Sequence, residues 1–171
     1  MLNFDFHNPT HIAFGQGRIA DLAKLVPAAA KVLILVGGAS AEKTGTLAEV
    51  RAALGERQHA TFSGIEPNPS YETSMKAVAQ IREGGFDFLL AVGGGSVIDA
   101  TKFIAAAVRF EGADPWAILE KHGRNIRAAM PFGSVLTLPA TGSEMNNGGV
   151  ITHRAKGAKL SFGSVHTYPV F

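Results

Sequence analysis

The sequence predicts an α/β domain: a mainly parallel sheet with helices on both faces, plus one β-hairpin. Three observations carry that prediction. Short apolar, β-branched runs alternate with segments of helical spacing, the order that lays successive strands parallel. Residues 31–36 (Lys31-Val32-Leu33-Ile34-Leu35-Val36) and 86–92 are nearly unbroken in apolar character, which suits strands covered on both sides rather than half-exposed ones. The loops 37–40, 93–96 and 139–149, each at the end of a predicted strand, are polar and glycine-bearing. In open α/β sheets, ligands bind beyond the carboxyl ends of the strands.

The elements follow in order. Residues 10–14 read as a short strand, and Gly15-Gln16-Gly17 as a turn into a helix over 18–26 that Pro27 stops. The run 31–36 is the first buried strand, ended by Gly37-Gly38. A helix starts at Ser40, is notched at Gly45, continues through Leu47, Val50 and Leu54, and closes at Gly55. Residues 58–62 form a weaker strand. Pro67 and Pro69 fix the loop 63–70, and Ser70 caps a helix over 71–83 with apolar residues at 75, 78 and 81. The strand 86–92 leads through three glycines into a helix to about residue 109. Asp114-Pro115-Trp116 pairs an acidic cap with proline at the first helical position and opens a short helix to about residue 121. Residues 134–138 are a strand, 139–149 a long polar loop, and 150–154 with 159–162 a hairpin around Ala155-Lys156-Gly157-Ala158. Residues 168–171 read as strand again and end on apolar residues.

Composition narrows the function. At 171 residues the chain forms one domain, able to bury about 70% of the surface its unfolded form exposes. It contains no cysteine, which excludes disulfides, zinc ribbons and thiol catalysis and fits the reducing cytoplasm. Sixteen basic residues against fourteen acidic ones leave a net charge of +2, so the pI near 9.0 reflects a near balance and calls for no nucleic acid. Residues 1–10 carry Asp5, His7 and Pro9 where a secretion leader needs a basic flank and an apolar core. The most apolar region, 86–108, is interrupted by Asp87, Asp99, Lys102 and three glycines, so no membrane span is expected. The six histidines are scattered and read as surface or loop residues rather than as a metal set.

The chemistry concentrates in Val92-Gly93-Gly94-Gly95-Ser96-Val97-Ile98-Asp99-Ala100-Thr101-Lys102. Three glycines strip the side chains from a strand-to-helix turn, where backbone N–H groups and the helix dipole favour an anion. Each glycine costs about 0.5–1 kcal/mol relative to alanine in regular structure, so a run of three points to a ligand, and we read it as the pyrophosphate of a dinucleotide. The turn is not a G-x-G-x-x-G fingerprint, because Ile98 stands at the third glycine position. Residues 37–44 are not a Walker A loop, because Glu42 would bring a carboxylate to the phosphates. Gly37-Gly38 fits a tight strand-to-helix turn equally well. A kinase that takes ATP on a Gly-Gly-Asp-Gly turn is disfavoured, since Gly95 occupies the position of the acid.

Together with Thr137-Leu138-Pro139-Ala140-Thr141-Gly142-Ser143-Glu144 and Gly64-Ile65-Glu66-Pro67-Asn68-Pro69, this segment resembles the iron-dependent (group III) alcohol dehydrogenases. The nearest branch is that of the NADPH-dependent aldehyde reductases and butanol dehydrogenases. The likeness runs from Asn3 to Phe171 and covers only that family's amino-terminal half. Glycerol dehydrogenase and dehydroquinate synthase relatives share the glycine turn but fit 137–144 less well. The resemblance implies a Rossmann-like fold of the dehydroquinate synthase-like amino-terminal type, with residues 1–171 as the dinucleotide-binding domain. The family's all-helical metal-binding domain, whose aspartate and three histidines hold a divalent metal, iron or zinc, falls beyond Phe171 and is absent here.

It further implies that Gly93, Gly94, Gly95 and Ser96 take the pyrophosphate, and that Asp99 lies near the nicotinamide, where complementing the helix dipole is an equal reading. Thr137, Thr141 and Ser143 match cofactor contacts, and Asn146 and Asn147 lie where that loop nears nicotinamide and substrate. Lys159 matches a lysine reaching the cofactor ribose, with a solvated lysine the alternative, and Asn68 falls on the adenine-side loop, where a turn role serves as well. Gly37, Gly38, Ala39 and Ser40 follow the first parallel strand. A carboxylate at position 39 would bond the adenosine ribose of NAD and repel the 2′-phosphate of NADP; Ala39 is neutral, and Lys43 adds charge one turn later, so NADP is expected. In a full-length enzyme the resemblance implies hydride transfer between the nicotinamide and an alcohol or aldehyde polarised by the metal, in a cytoplasmic homodimer. This chain alone is expected to bind the cofactor without turning over substrate, and a non-catalytic nucleotide-binding module is the alternative.

Overall fold

A computed structural model of the chain describes residues 3–5 and 7–171. Met1, Leu2 and Phe6, part of the start read above as no leader, lie outside the described residues. A 3-10 turn (Arg18–Asp21) leads into α1 (Leu22–Leu25), β1 (Val32–Val36), α2 (Ser40–Lys43), α3 (Thr46–Leu54) and β2 (His59–Phe62). There follow α4 (Tyr71–Gly84), β3 (Phe88–Gly93), α5 (Gly95–Val108), α6 (Ala117–Glu120), β4 (Phe132–Leu136), β5 (Gly148–His153) and β6 (Ala158–Gly163). Four parallel strands pair in the order β2-β1-β3-β4, and β5 and β6 form a separate antiparallel hairpin. Among the described residues no helix is long and apolar enough to cross a membrane.

The two central strands, β1 and β3, are buried throughout, as their unbroken apolar runs require. Successive side chains serve opposite faces. Leu33, Leu35, Leu89 and Ala91 pack with Val78 and Ile81 of α4 and Phe103 and Ile104 of α5. Val32, Ile34, Leu90 and Val92 pack with Leu22 of α1 and Val50 and Leu54 of α3. Burying each of these large aliphatic side chains stabilises the fold by about 1.5–3 kcal/mol, so both faces of the sheet contribute to the core. The Ser70 hydroxyl accepts the Thr73 amide at 3.2 Å, the expected cap of α4, and Gly85 ends that helix at φ 63°.

Five expectations are corrected. Residues 10–14 form no strand. The edge of β4 is occupied instead by the chain's last residues, with Val170 N donating to Phe132 O at 2.8 Å and Phe171 O accepting from Ser134 N at 2.8 Å, while His11 N reaches Val170 O at 3.1 Å. Residues 168–171 are not a regular strand, although they take that edge. The helix expected over 18–26 is a 3-10 turn followed by the single turn of α1. β4 lies two residues earlier than expected, because its register with β3 ends at Gly93 opposite Leu136. Gly148 and Gly149 belong to the hairpin rather than to the loop. A Cβ on Gly149 would come within 2.9 Å of the Phe162 ring and 3.4 Å of Asp99 Cα, so glycine lets β5 press onto α5.

Arg57, which the sequence does not distinguish, ties the second face together. Its guanidinium donates to the carbonyls of Pro27 (3.1 Å), Leu54 (2.9 Å), Ala23 (2.7 Å) and Val26 (3.1 Å), closing the ends of α1 and α3. A lysine has no planar fork to reproduce that set. Arg57→Ala is expected to cost about 1–2 kcal/mol of stability, with Arg57→Lys recovering less than half, both read from urea unfolding midpoints.

Candidate cofactor site

The sheet register gathers the three glycine-bearing loops. Val36 pairs with Val92, so Gly37 and Gly93 leave the sheet side by side, and Gly93 pairs with Leu136, which places Thr137 and Leu138 next. The chain turns one way from β1 to β2 and the other way from β3 to β4, so the crevice at the carboxyl ends of β1 and β3 is a topological switch point. A cleft of about 490 Å³ opens there.

Of the residues proposed from sequence, Gly37, Gly38, Gly94, Gly95 and Ser96 line this cleft at the sheet side, and Asn68, Asp99, Thr141 and Lys159 line it from the opposite walls. Gly93 lies directly beneath, as the last residue of β3. The α5 amino terminus is capped by no side chain, so its first amides remain available to an anion. Gly94 has φ −89° and ψ −169°, a conformation open to any residue, and a Cβ there would meet nothing nearer than Leu138 O at 3.8 Å. Neither backbone nor packing demands glycine at this position. The space that a side chain would take opens on the cleft. Gly95 differs, because a Cβ there would lie 2.6 Å from Thr141 Oγ1.

The other assignments divide. Ala39 and Ser40 are exposed at the start of α2, beyond the cleft lining, with Lys43 exposed on the same turn. Glu42 is held by Arg51 at 3.5 Å. Thr137 lines a neighbouring hollow of about 920 Å³ between β4 and residues 11–19, with its amide on Gly93 O at 3.1 Å. Ser143, Asn146 and Asn147 are engaged within the protein. Ser143 Oγ donates to Asp99 Oδ1 at 2.8 Å and shares a 2.7 Å hydrogen bond with Thr141 Oγ1. Asn146 Oδ1 accepts from Lys102 Nζ at 2.7 Å, and Asn147 O accepts from Thr167 Oγ1 at 2.7 Å. Lys159 Nζ donates to Asn68 Oδ1 at 2.7 Å, joining two candidates across the cleft; Asn68 also has φ 54°, as its turn role requires.

Electrostatics single out three groups. Burial pushes the Asp99 carboxyl above its ordinary range, against the Ser143 hydroxyl, the Lys102 charge and the Val150 amide. Burial brings Lys102 down to about 8, with Asp99 and Glu144 opposing. At Glu66 burial acts upward, but the Ser70 and Thr73 hydroxyls and Arg154 outweigh it and hold the carboxyl below its ordinary value. Glu66 thereby ties the proline loop to α4 and to the hairpin through Ser70 (2.6 Å), Thr73 (3.1 Å) and Arg154 (2.5 Å). Sequence reasoning missed the roles of Glu66 and Lys102. An acid four and seven residues ahead of Ser70 and Thr73 was the available signal for the first; a lysine inside an otherwise apolar helix was the signal for the second.

A dinucleotide fits this arrangement, since the uncapped helix start and the side-chain-free Gly94 form a cradle for phosphate. A metal does not. Among the described residues no three His, Asp or Glu side chains gather around one point. His7 and His11, four apart in sequence, lie on non-helical chain, so that spacing does not bring them onto one face.

Known proteins share this fold. The chain is 55% identical to the NADPH-dependent aldehyde reductase YqhD of Escherichia coli and 45% identical to a probable NADH-dependent butanol dehydrogenase of Bacillus subtilis, over its full length in each case. It spans 44% of the length of each. The crystal structure of the E. coli protein superposes with a TM-score of 0.95, covering 99% of this chain and 44% of that one. NADH-dependent butanol dehydrogenase A of Thermotoga maritima, 37% identical, superposes at 0.90 over 98% of this chain and 42% of its own. With the model of the iron-containing alcohol dehydrogenases matching residues 9–171, the chain belongs to that family.

Proposed function

We propose that residues 1–171 are the NADP(H)-binding domain of an oxidoreductase that exchanges hydride with an alcohol or aldehyde. The observation that carries this reading is Gly94, a glycine that neither backbone nor packing requires, in the cleft at the switch point between β1 and β3. The nicotinamide supplies or receives the hydride when the cofactor is bound. Backbone amides at Gly95 and Ser96 take the pyrophosphate, Lys159 and Asn68 meet the adenosine side, and Thr141 with the Asp99-braced loop lies toward the nicotinamide. The metal belongs to the part of such enzymes beyond this chain, and a homodimer is the expected assembly.

Calorimetric titration with NADPH, NADH and ATP tests the reading. NADPH is expected to bind most tightly. Tighter binding of ATP, or no binding of either dinucleotide, would overturn it.

The choice of NADP rests on Ala39, neutral and exposed beside the exposed Lys43. Ala39→Asp is expected to shift the NADPH-to-NADH affinity ratio about tenfold or more toward NADH, because a carboxylate repels the 2′-phosphate and bonds the ribose hydroxyls. An unchanged ratio would remove position 39 from the adenosine subsite.

A further inference from the structure

Lys102 is fully buried within α5, and among the described residues it has no ion-pair partner. Lysines almost never bury their charge without a carboxylate. Its Nζ instead donates to Asn146 Oδ1 and to Gly148 O, each at 2.7 Å. Asn146 Oδ1 also accepts the Gly148 amide at 3.0 Å, and its Nδ2 donates to Thr141 O at 3.3 Å. One turn earlier on the helix, Asp99 accepts Ser143 Oγ and the Val150 amide at 2.8 and 3.1 Å. Asp99 therefore holds the segment 141–150 near its ends, at Ser143 and Val150, and Lys102 holds its middle, at Asn146 and Gly148. Thr141 and Val150 of that segment wall the cleft.

We propose that Lys102 is a positioning residue for the nucleotide site: its buried amine holds Asn146 and Gly148 against α5 and so fixes the loop on which the nicotinamide end of the cofactor is laid. The proposal rests on the cofactor reading given above. Hydrogen bonds donated by an ammonium are roughly twice as strong as those of a neutral amine, so the clamp is tighter when Lys102 is charged. The charged groups acting on it are Asp99 of its own helix and Glu144 of the loop, both favouring the ammonium. Burial nevertheless sets its proton loss at about 8 in the free chain. If the bound cofactor, itself an anion, favours the ammonium, affinity stays level below that pH and falls above it.

The experiment uses the 171-residue chain, Lys102→Met, which keeps an unbranched apolar stem, and Asn146→Ala, which keeps the lysine. NADPH affinity is followed by fluorescence from about pH 6.5 to about 9.5, and exchange of the Gly148 and Val150 amides is measured without nucleotide. For the wild type, affinity is expected to fall about tenfold through pH 8; Lys102→Met should bind about tenfold more weakly at pH 7 and show no inflection. The two loop amides should exchange about tenfold faster in Lys102→Met, with β1 and β3 amides unchanged, and Asn146→Ala should move affinity and exchange the same way. Unaltered affinity and exchange in Lys102→Met, or an inflection that survives in it, would overturn the proposal. Should Lys102→Met not fold, wild-type behaviour of Asn146→Ala would overturn it instead. If the wild type binds no NADPH, the cofactor reading fails, and amide exchange alone decides whether Lys102 holds the loop.

Discussion

Gly94→Ala is expected to weaken NADPH binding about 10- to 100-fold, a loss of about 1.4–2.8 kcal/mol, while leaving the fold close to wild-type stability. The position has an ordinary φ of −89°, and a new Cβ would meet no protein atom nearer than 3.8 Å. Losing glycine ahead of the first helical turn costs at most about 1 kcal/mol, and the smaller entropy of the unfolded alanine chain offsets part of that. The methyl group instead fills the space in which a phosphate oxygen would approach the amides of α5. Gly95→Ala is the contrast: its Cβ would lie 2.6 Å from Thr141 Oγ1, so the loop must shift and the melting temperature fall with affinity. Thermal melts beside a fluorescence titration separate the two. Unchanged affinity in Gly94→Ala would mean that no phosphate sits there.

The largest expected effect on stability comes from Gly133→Ala. Gly133 is in β4, and a Cβ there would fall 2.1–2.6 Å from the Phe171 ring, which is 7% exposed and stacked 6.1 Å from Phe88. No rotamer adjustment of a methyl group relieves that overlap, so the ring must leave and give up its burial. The expected cost is about 2–3 kcal/mol, a melting temperature lower by about 5–10 °C. In Gly133→Ala with Phe171→Ala the overlap no longer exists, so the second substitution should cost much less than it does alone. Additive effects would show that the ring does not rest on this glycine.

The buried strands read at 31–36 and 86–92 announced themselves because a strand covered on both faces has no polar alternation, and Ser70 announced the start of α4. The segment 10–14 also reads as a short strand, yet the edge of β4 is taken by residues 170–171. Propensity cannot rank two segments that compete for one edge. At the site, the strand register brings Gly37, Gly94 and Thr141 to one cleft. Thr137 belongs to the same motif but faces a different hollow. Asn146, read as a residue nearing the nicotinamide, holds the Lys102 amine.

The sequence by itself determined the order of strands and helices, the glycine loops at their carboxyl ends and the family likeness, because these depend on periodicity and backbone freedom within a few residues. Only the tertiary structure decided which loops stand together, what rests on Gly133, and which partners Lys102 finds 44 and 46 residues away. Those outcomes follow from strand register and from the desolvation of a buried amine. Neither leaves a mark on the local pattern of residues.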